Sequence, residues 1–191
     1  MTDRDKLRAL LVQRSIRLGD FTLASGARSQ YYVDARRTTM SAEGQVLTGR
    51  VALAALKDAG WSFTHVGGLT MGADPVAYAI AHESFVQGRP HDAFSVRKEA
   101  KGHGTGQQVE GGLPPGAQCV VIEDSTTTGG SALRAVEALR EHGASVVGVL
   151  TLVDRREGAE ARLRDAGLPF VSIFSGPELL EAARTGAYAL D

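Results

Sequence analysis

An apolar run that ends in two acids and a loop of threonines and glycines restricts the possible fold more than any other feature. Cys119–Ile122 is continuously apolar, Glu123 and Asp124 follow, and the next residues read Ser-Thr-Thr-Thr-Gly-Gly-Ser. Unbroken apolar runs of this kind are typical of central strands in parallel sheets, which are covered on both faces. Ligands of such sheets bind at the carboxyl ends of the strands. The sequence therefore predicts a buried strand, a ligand-binding loop and a helix that begins at the loop.

Strand-like and helix-like segments alternate along the rest of the chain. Helical spacing and caps predict helices over 5–18, 41–59, 74–86, 131–142, 157–166 and 177–184. Runs typical of strands lie at 21–23, 31–33, 64–68, 93–97, 119–122, 146–153 and 170–174. Ser41 is predicted to cap the second helix, and Asp74, before Pro75, to cap the third. This order favours an α/β fold with a central, mostly parallel sheet flanked by helices, in a single domain over 1–191.

Composition excludes several classes of protein. Lysine plus arginine total 21 against 22 for aspartate plus glutamate, a net charge of −1, so no overall field attracts nucleic acid or an anionic membrane. Cys119 is the single cysteine, which excludes an intrachain disulfide framework. No signal peptide is visible, and no apolar run approaches the roughly 18 residues that span a bilayer. We therefore expect a cytoplasmic protein with no nucleic-acid or membrane partner, in which any anion site is local.

The loop after the acidic pair has the chemistry of a phosphate site. Small residues let backbone N–H groups approach an anion, and the following helix adds its positive N-terminal end. It is not a Walker loop, because no Gly-Lys-Ser/Thr follows. An acidic pair alone is usually a strand end that reaches solvent. Beside this loop, however, Glu123 and Asp124 suit neutral hydroxyls, and the combination suits a ribose 5-phosphate.

Two stretches resemble a known family. Residues 120–131 are similar to the phosphoribosyl pyrophosphate (PRPP) signature of type I phosphoribosyltransferases, with Glu123 in place of the more usual first aspartate. Arg97–Gly104, which reads RKEAKGHG, closely resembles the flexible loop of orotate phosphoribosyltransferases. The resemblance extends over about 21–155, although Ala24 and the pair Met71-Gly72 stand where some members carry Lys and Tyr-Lys.

The resemblance implies reversible transfer of a phosphoribosyl group from PRPP to orotate, giving orotidine 5′-phosphate and pyrophosphate in UMP biosynthesis. It implies a type I phosphoribosyltransferase fold with an N-terminal hood over 1–40, a homodimer, and Mg²⁺ held mainly through PRPP with no direct protein ligand assigned. Lys101 and Asp124 are the expected catalytic residues, and Thr127 and Arg155 are expected to bind orotate. The expected PRPP-binding residues are Arg97, Lys98, Lys101, His103, Glu123, Asp124, Ser125, Thr126, Thr127, Thr128, Gly129, Gly130 and Ser131.

Simpler interpretations remain for several of these residues. A charged run such as 97–104 is usually a solvated loop, and Arg155 beside Arg156 could be an ordinary exposed charge. Two other functions also stay open: a phosphoribosyltransferase for a purine or uracil, and a regulatory protein that keeps the fold but binds RNA or DNA. The intact basic loop and Arg155 count against the first alternative, and the balanced net charge counts against the second. We expect Cys119 to be a small core residue.

Overall fold

The computed structural model describes residues 1–22, 28–99 and 108–186, and there the chain forms eight strands and seven helices. The strands are β1 (Ile16–Thr22), β2 (Arg28–Val33), β3 (His65–Leu69), β4 (Asp92–Val96), β5 (Val109–Glu110), β6 (Gln118–Thr126), β7 (Ser145–Asp154) and β8 (Phe170–Ser175). The helices are α1 (Asp3–Ser15), α2 (Arg36–Thr39), α3 (Ala42–Asp58), α4 (Ala73–Val86), α5 (Gly130–Glu141), α6 (Ala159–Asp165) and α7 (Gly176–Thr185).

Six strands form the central sheet, in the order β5-β4-β3-β6-β7-β8. Every pair in it is parallel except β4 and β5, which pair antiparallel at one edge. Strands β1 and β2 form a separate antiparallel hairpin. The predicted α/β class with a mostly parallel sheet is therefore confirmed. No helix in the described ranges is long and apolar enough to cross a bilayer.

Strand β6 lies in the middle of the sheet and divides its side chains between two apolar layers. Val120 and Ile122 pack in one cluster with residues of α1, α3, α4 and α7. Cys119 and Val121 pack in the other cluster, with residues of α5 and α6. Successive residues of a strand point to opposite faces, so a continuous apolar run requires cover on both sides. This arrangement confirms the interpretation of the run, and of Cys119, as core.

The end of α1 and the cap of α4 differ from the prediction. Helix α1 ends at Ser15 and not near residue 18, because Ile16 begins β1 and pairs opposite Val33. Asp74 does not cap α4: the helix begins at Ala73 with Gly72 at its N-cap. Two short elements, α2 and β5, were not predicted, since neither is long enough to show a period. Ser41 does cap α3, as its Oγ accepts from the backbone N–H of Gly44 at 3.1 Å.

The Asp74 side chain has a different partner. Its Oδ1 accepts from the hydroxyl of Ser95 at 2.7 Å, and Ser95 lies 3.0 Å from the Tyr78 hydroxyl. The carboxylate therefore connects the first turn of α4 to strand β4. A proline in the first turn of α4 still suits the helix start, because the first N–H groups of a helix have no intrahelical acceptor.

Gly67 provides a test of how tightly β3 is packed. A Cβ atom there would overlap the backbone carbonyl and the ring of Phe94 on the neighbouring strand β4. A backbone obstacle cannot move without breaking strand pairing, so we expect Gly67→Ala to lower the free energy of unfolding by about 3 kcal/mol. Urea unfolding followed by circular dichroism measures this loss.

Gly148→Ala on β7 is the matched control. The three atoms nearest to its new Cβ all belong to the partly buried indole of Trp61, the first at 2.6 Å. A side chain can rotate away, so we expect a smaller loss than for Gly67→Ala. Equal losses for the two variants would contradict the account of β3 packing.

Candidate active site

The carboxyl ends of the central parallel strands bring three loops to one edge of the sheet. Residues 70–72 follow β3, residues 127–129 follow β6 and residues 155–158 follow β7. Because these strands are parallel neighbours, their loops lie side by side at the edge where α/β proteins bind ligands. Two of the loops are also bonded together: Thr126 O accepts from the Arg155 N–H at 2.9 Å, and Thr127 O accepts from the Ala159 N–H at 3.1 Å.

A cleft of about 460 Å³ opens between the loop after β6 and the start of α5. Gly129 is its turning point, with a left-handed backbone (φ 75°) at the N-cap of α5. No acidic residue stands in the first turn of α5, so the positive end of the helix faces the cleft without a carboxylate on its own first turn. The lining residues are Glu123, Ser125, Thr126, Thr127, Thr128, Gly129, Gly130, Ser131, Arg134 and Arg162. The structure thus brings the predicted phosphate loop together around one concave site.

Two arginines of this cleft were not predicted from the sequence. Arg134 lies one turn into α5, and its Nη2 is 3.5 Å from Ser131 Oγ. Arg162 comes from α6, and its Nη1 donates to the carbonyl of Thr128 at 3.5 Å. Both guanidinium groups add positive charge to a site already lined by backbone N–H groups. The spacing of Arg134 from Ser131 could have been noticed, as residues three apart share a helix face, whereas Arg162 is near only in space.

The two acids of β6 point to opposite faces of the sheet. Glu123 lines the cleft beside α5. Asp124 faces the loop after β3, where a Cβ at Gly72 would overlap its carboxylate. Strand alternation produces this separation, as it does for the apolar residues before them. The positions of the two carboxylates on either side of β6 were not apparent from the sequence pair.

Burial changes the ionisation of both acids. Glu123 is 7% exposed, and burial, with the neighbouring charge of Asp124, raises its pKa to about 8 although Arg134 opposes this rise. Its Oε1 has no hydrogen-bond partner among the described residues. Burial also raises the pKa of Asp124. Two contacts oppose this rise: the Ser125 N–H, which donates to Asp124 Oδ1 at 2.9 Å, and the positive charge of the nearby Arg36. Glu123 is therefore a protonated, neutral group over much of the physiological range.

Arg155 is buried and not an ordinary exposed charge. It is 7% exposed at the end of β7, where its guanidinium lies 4.9 Å from the centroid of the Tyr31 ring. Its Nη2 donates to Ser29 Oγ at 3.1 Å and forms an ion pair with Glu157 Oε1 at 3.1 Å. The N-terminal hairpin therefore meets the edge of the sheet at this arginine.

The expected basic loop is described only in part. Arg97 follows β4 at the same edge of the sheet, where its Nε donates to Glu110 Oε1 at 2.9 Å. Lys98 is exposed beside it. Lys101 and His103 lie outside the described residues, as does Ala24.

Comparison with known proteins identifies the family. The sequence model of the family described as the phosphoribosyl transferase domain matches residues 46–178 of this chain. The orotate phosphoribosyltransferase of Aquifex aeolicus is 45% identical over 183 residues, which cover 94% of this chain and 99% of the relative. The corresponding protein of Streptomyces coelicolor is 48% identical, over 94% of this chain and 98% of its own. The chain belongs to the orotate phosphoribosyltransferase family.

A solved structure extends the similarity to the whole fold. The Mycobacterium tuberculosis orotate phosphoribosyltransferase in complex with PRPP is 42% identical, with a TM-score of 0.78 over 93% of this chain and 99% of that one. The predicted type I phosphoribosyltransferase fold is therefore confirmed. The sequence left open a transferase for another base and a regulator that binds nucleic acid. Each of the three relatives above is named an orotate phosphoribosyltransferase, which favours neither alternative.

The raised pKa of Glu123 predicts how stability depends on pH. The folded carboxyl keeps its proton up to about pH 8, whereas the unfolded one loses it near its ordinary value of 4.5. The folded state thus binds more protons between these values, and stability must fall as pH rises through that window. We expect wild type to lose at least about 2 kcal/mol between pH 5 and pH 8 relative to Glu123→Gln, because a tenfold change in a proton-binding constant corresponds to about 1.4 kcal/mol.

Urea unfolding of both proteins at a series of pH values measures the difference. Glu123→Gln serves as the reference, because it keeps the shape of the side chain without a titrating carboxyl. Parallel pH profiles for the two proteins would show that Glu123 is not buried as a neutral group.

Proposed function

We propose that the chain transfers the phosphoribosyl group of PRPP to N1 of orotate, with release of pyrophosphate. The observation that carries the proposal is the cleft at the carboxyl edge of β6, where a threonine-glycine loop, a helix N-terminus and two arginines surround a space suited to a phosphate. Membership of the orotate phosphoribosyltransferase family supports the choice of PRPP and orotate.

The residues of the loop divide the substrate between them in this proposal. Residues 125–131 bind the 5′-phosphate through backbone N–H groups and hydroxyls, and Arg134 and Arg162 add charge. Glu123 and Asp124 hold the ribose hydroxyls from the two sides of β6. Negative charge at Asp124 favours the positive charge that develops at the ribose carbon when pyrophosphate leaves. The orotate base lies between Thr127 and Arg155, because a guanidinium suits a planar, acidic pyrimidine.

The described residues fit a divalent cation that enters with its substrate. Carboxylate oxygens are ligands that Mg²⁺ prefers, and the Asp124 carboxylate lies at the end of β6 beside Gly72 of the loop after β3. No three carboxylate, histidine or cysteine groups in those ranges form a metal cage, so the ion would take most of its ligands from PRPP oxygens. When bound, Mg²⁺ neutralises part of the diphosphate charge.

The leaving pyrophosphate needs positive charge and exclusion of water. Arg97, Lys98, Lys101 and His103 are proposed to supply the charge, as the family resemblance implies, with Lys101 as the principal group. A loop that covers the site also protects the activated sugar from hydrolysis.

We expect a homodimer in a cytoplasmic location. Support for a second subunit comes from large apolar side chains that α4 exposes: Tyr78 at 51%, Phe85 at 74% and Val86 at 64%.

Depletion of orotate tests the reaction directly. With PRPP and Mg²⁺, we expect the ultraviolet absorbance of orotate to fall, whereas adenine, hypoxanthine and uracil should not be consumed. Removal of Mg²⁺ with a chelator should stop turnover. Consumption of another base in preference to orotate would replace the proposed substrate, and turnover unaffected by the chelator would contradict the role of the metal.

Replacement of Lys101 tests the role of the basic loop. We expect Lys101→Ala to lower kcat by about a hundredfold or more, as loss of one charge-stabilising donor does in other enzymes, while PRPP still binds. Steady-state kinetics and calorimetric titration with PRPP separate the two effects. Lys57→Ala, at an exposed position near the end of α3, is the matched control and should leave kcat unchanged. Near-normal turnover in Lys101→Ala would assign the leaving-group role elsewhere.

A further inference from the structure

Arg155 is held on several sides before any substrate arrives. The ring of Tyr31 covers one face of its guanidinium, with 4.9 Å between the guanidinium carbon and the ring centroid. Its Nη2 donates a hydrogen bond to Ser29 Oγ and forms an ion pair with Glu157 Oε1, each at 3.1 Å. The Nε–H group is buried and has no acceptor among the residues that the structure describes. A long, charged side chain is thus confined to one position at the end of β7.

Two of these contacts come from one strand of the N-terminal hairpin. Ser29 and Tyr31 stand two residues apart on β2 and therefore face the same side. They are also bonded to each other, since Ser29 Oγ donates to the carbonyl of Tyr31 at 2.7 Å. The absence of a side chain at Gly176 leaves room for the Tyr31 hydroxyl: a Cβ there would overlap this hydroxyl and lie 3.2 Å from Arg155 Cα. The ring is therefore fitted between the hairpin, β7 and the start of α7.

We propose that Tyr31, with Ser29, is a positioning residue that holds Arg155 for the anionic base. This inference rests on the proposed function, in which Arg155 binds orotate. The chemistry of Tyr31 and Ser29 suits that task better than the chemistry of a carboxylate does. A carboxylate such as Glu157 neutralises the guanidinium and competes with an anionic substrate. An aromatic face and a hydroxyl restrict its motion and leave its charge available.

The same geometry predicts which kinetic constant changes. Ordering a long side chain costs conformational entropy. Because Tyr31 and Ser29 already order Arg155 in the folded protein, this loss does not oppose the binding of orotate. Without the ring, orotate would have to order Arg155 itself. The proposed 5′-phosphate site lies on the α5 side of β6, whereas Tyr31 packs against the apolar cluster on the other face of the sheet. Loss of the ring should therefore weaken orotate binding and leave PRPP binding unchanged.

Two variants at Tyr31 separate positioning from packing. Tyr31→Leu keeps an apolar side chain but removes the aromatic face, and Tyr31→Phe keeps the face but removes the hydroxyl. We expect Tyr31→Leu to raise the KM for orotate about tenfold, which is within the range of a desolvated cation–π contact. The KM for PRPP and the melting temperature should stay close to wild type. Tyr31→Phe should restore the KM for orotate to within about twofold of wild type, because the ring face is the part that contacts Arg155.

The possible results lead to different conclusions. An unchanged KM for orotate in Tyr31→Leu, or a joint rise of both KM values with a fall in melting temperature, would overturn the positioning role. If Tyr31→Leu does not fold, Ser29→Ala decides: a rise in the KM for orotate alone supports the proposal, and no rise overturns it. Absence of orotate consumption by the wild-type protein would instead reject the proposed function, and the inference with it.

Discussion

Strand β6 is hydrogen-bonded to parallel neighbours on both sides, but for unequal lengths, and the site depends on this inequality. Its pairing with β3 ends at Val121, opposite Gly67, whereas its pairing with β7 continues to Thr126, opposite Asp154. The last part of β6 is therefore supported from one side and open on the other. Strand β3 continues to Leu69 in its pairing with β4, and in the loop after it Gly72 comes close to the carboxylate of Asp124. A crevice between diverging strands of this kind is the usual ligand site of α/β sheets.

Strand alternation then sorts the charges of the crevice. Glu123 continues the face of Cys119 and Val121 and reaches the α5 side, where it loses water and becomes a weak acid. Asp124 continues the face of Val120 and Ile122 and reaches the α4 side, where Arg36 partly offsets the cost of burial. A neutral Glu123 beside the phosphate loop avoids repulsion of a phosphate, which two ionised carboxylates on one face would cause. The period of two that builds the core therefore also prepares the site for an anion.

Much of this could be predicted from the sequence because the signals are local. The apolar run of β6, the loop after it and the Ser41 cap each depend on residues a few positions apart, and the structure places them as predicted. The sequence was less informative where tertiary contacts decide the outcome. Helix α1 gives way to a strand at Ile16 because β2 offers a partner, and Asp74 is held by Ser95 on another element. Arg162 reaches the loop from α6 and Tyr31 reaches Arg155 from β2, and no periodicity in the chain connects such pairs.

The two ends of the proposed substrate site consequently depend on parts of the protein that are held in different ways. The phosphate end is built on β6 and α5, which share a buried apolar layer. The proposed base end depends on a two-stranded hairpin whose described residues pair with no strand of the central sheet and meet the body partly through side chains. Arg155 contacts Ser29, and Arg184 of α7 donates to Gln30 at 2.7 Å. Such a hairpin can shift at lower cost than a central strand, because fewer buried contacts must break. Changes in the hairpin should therefore alter recognition of the base before they alter the hold on the phosphate.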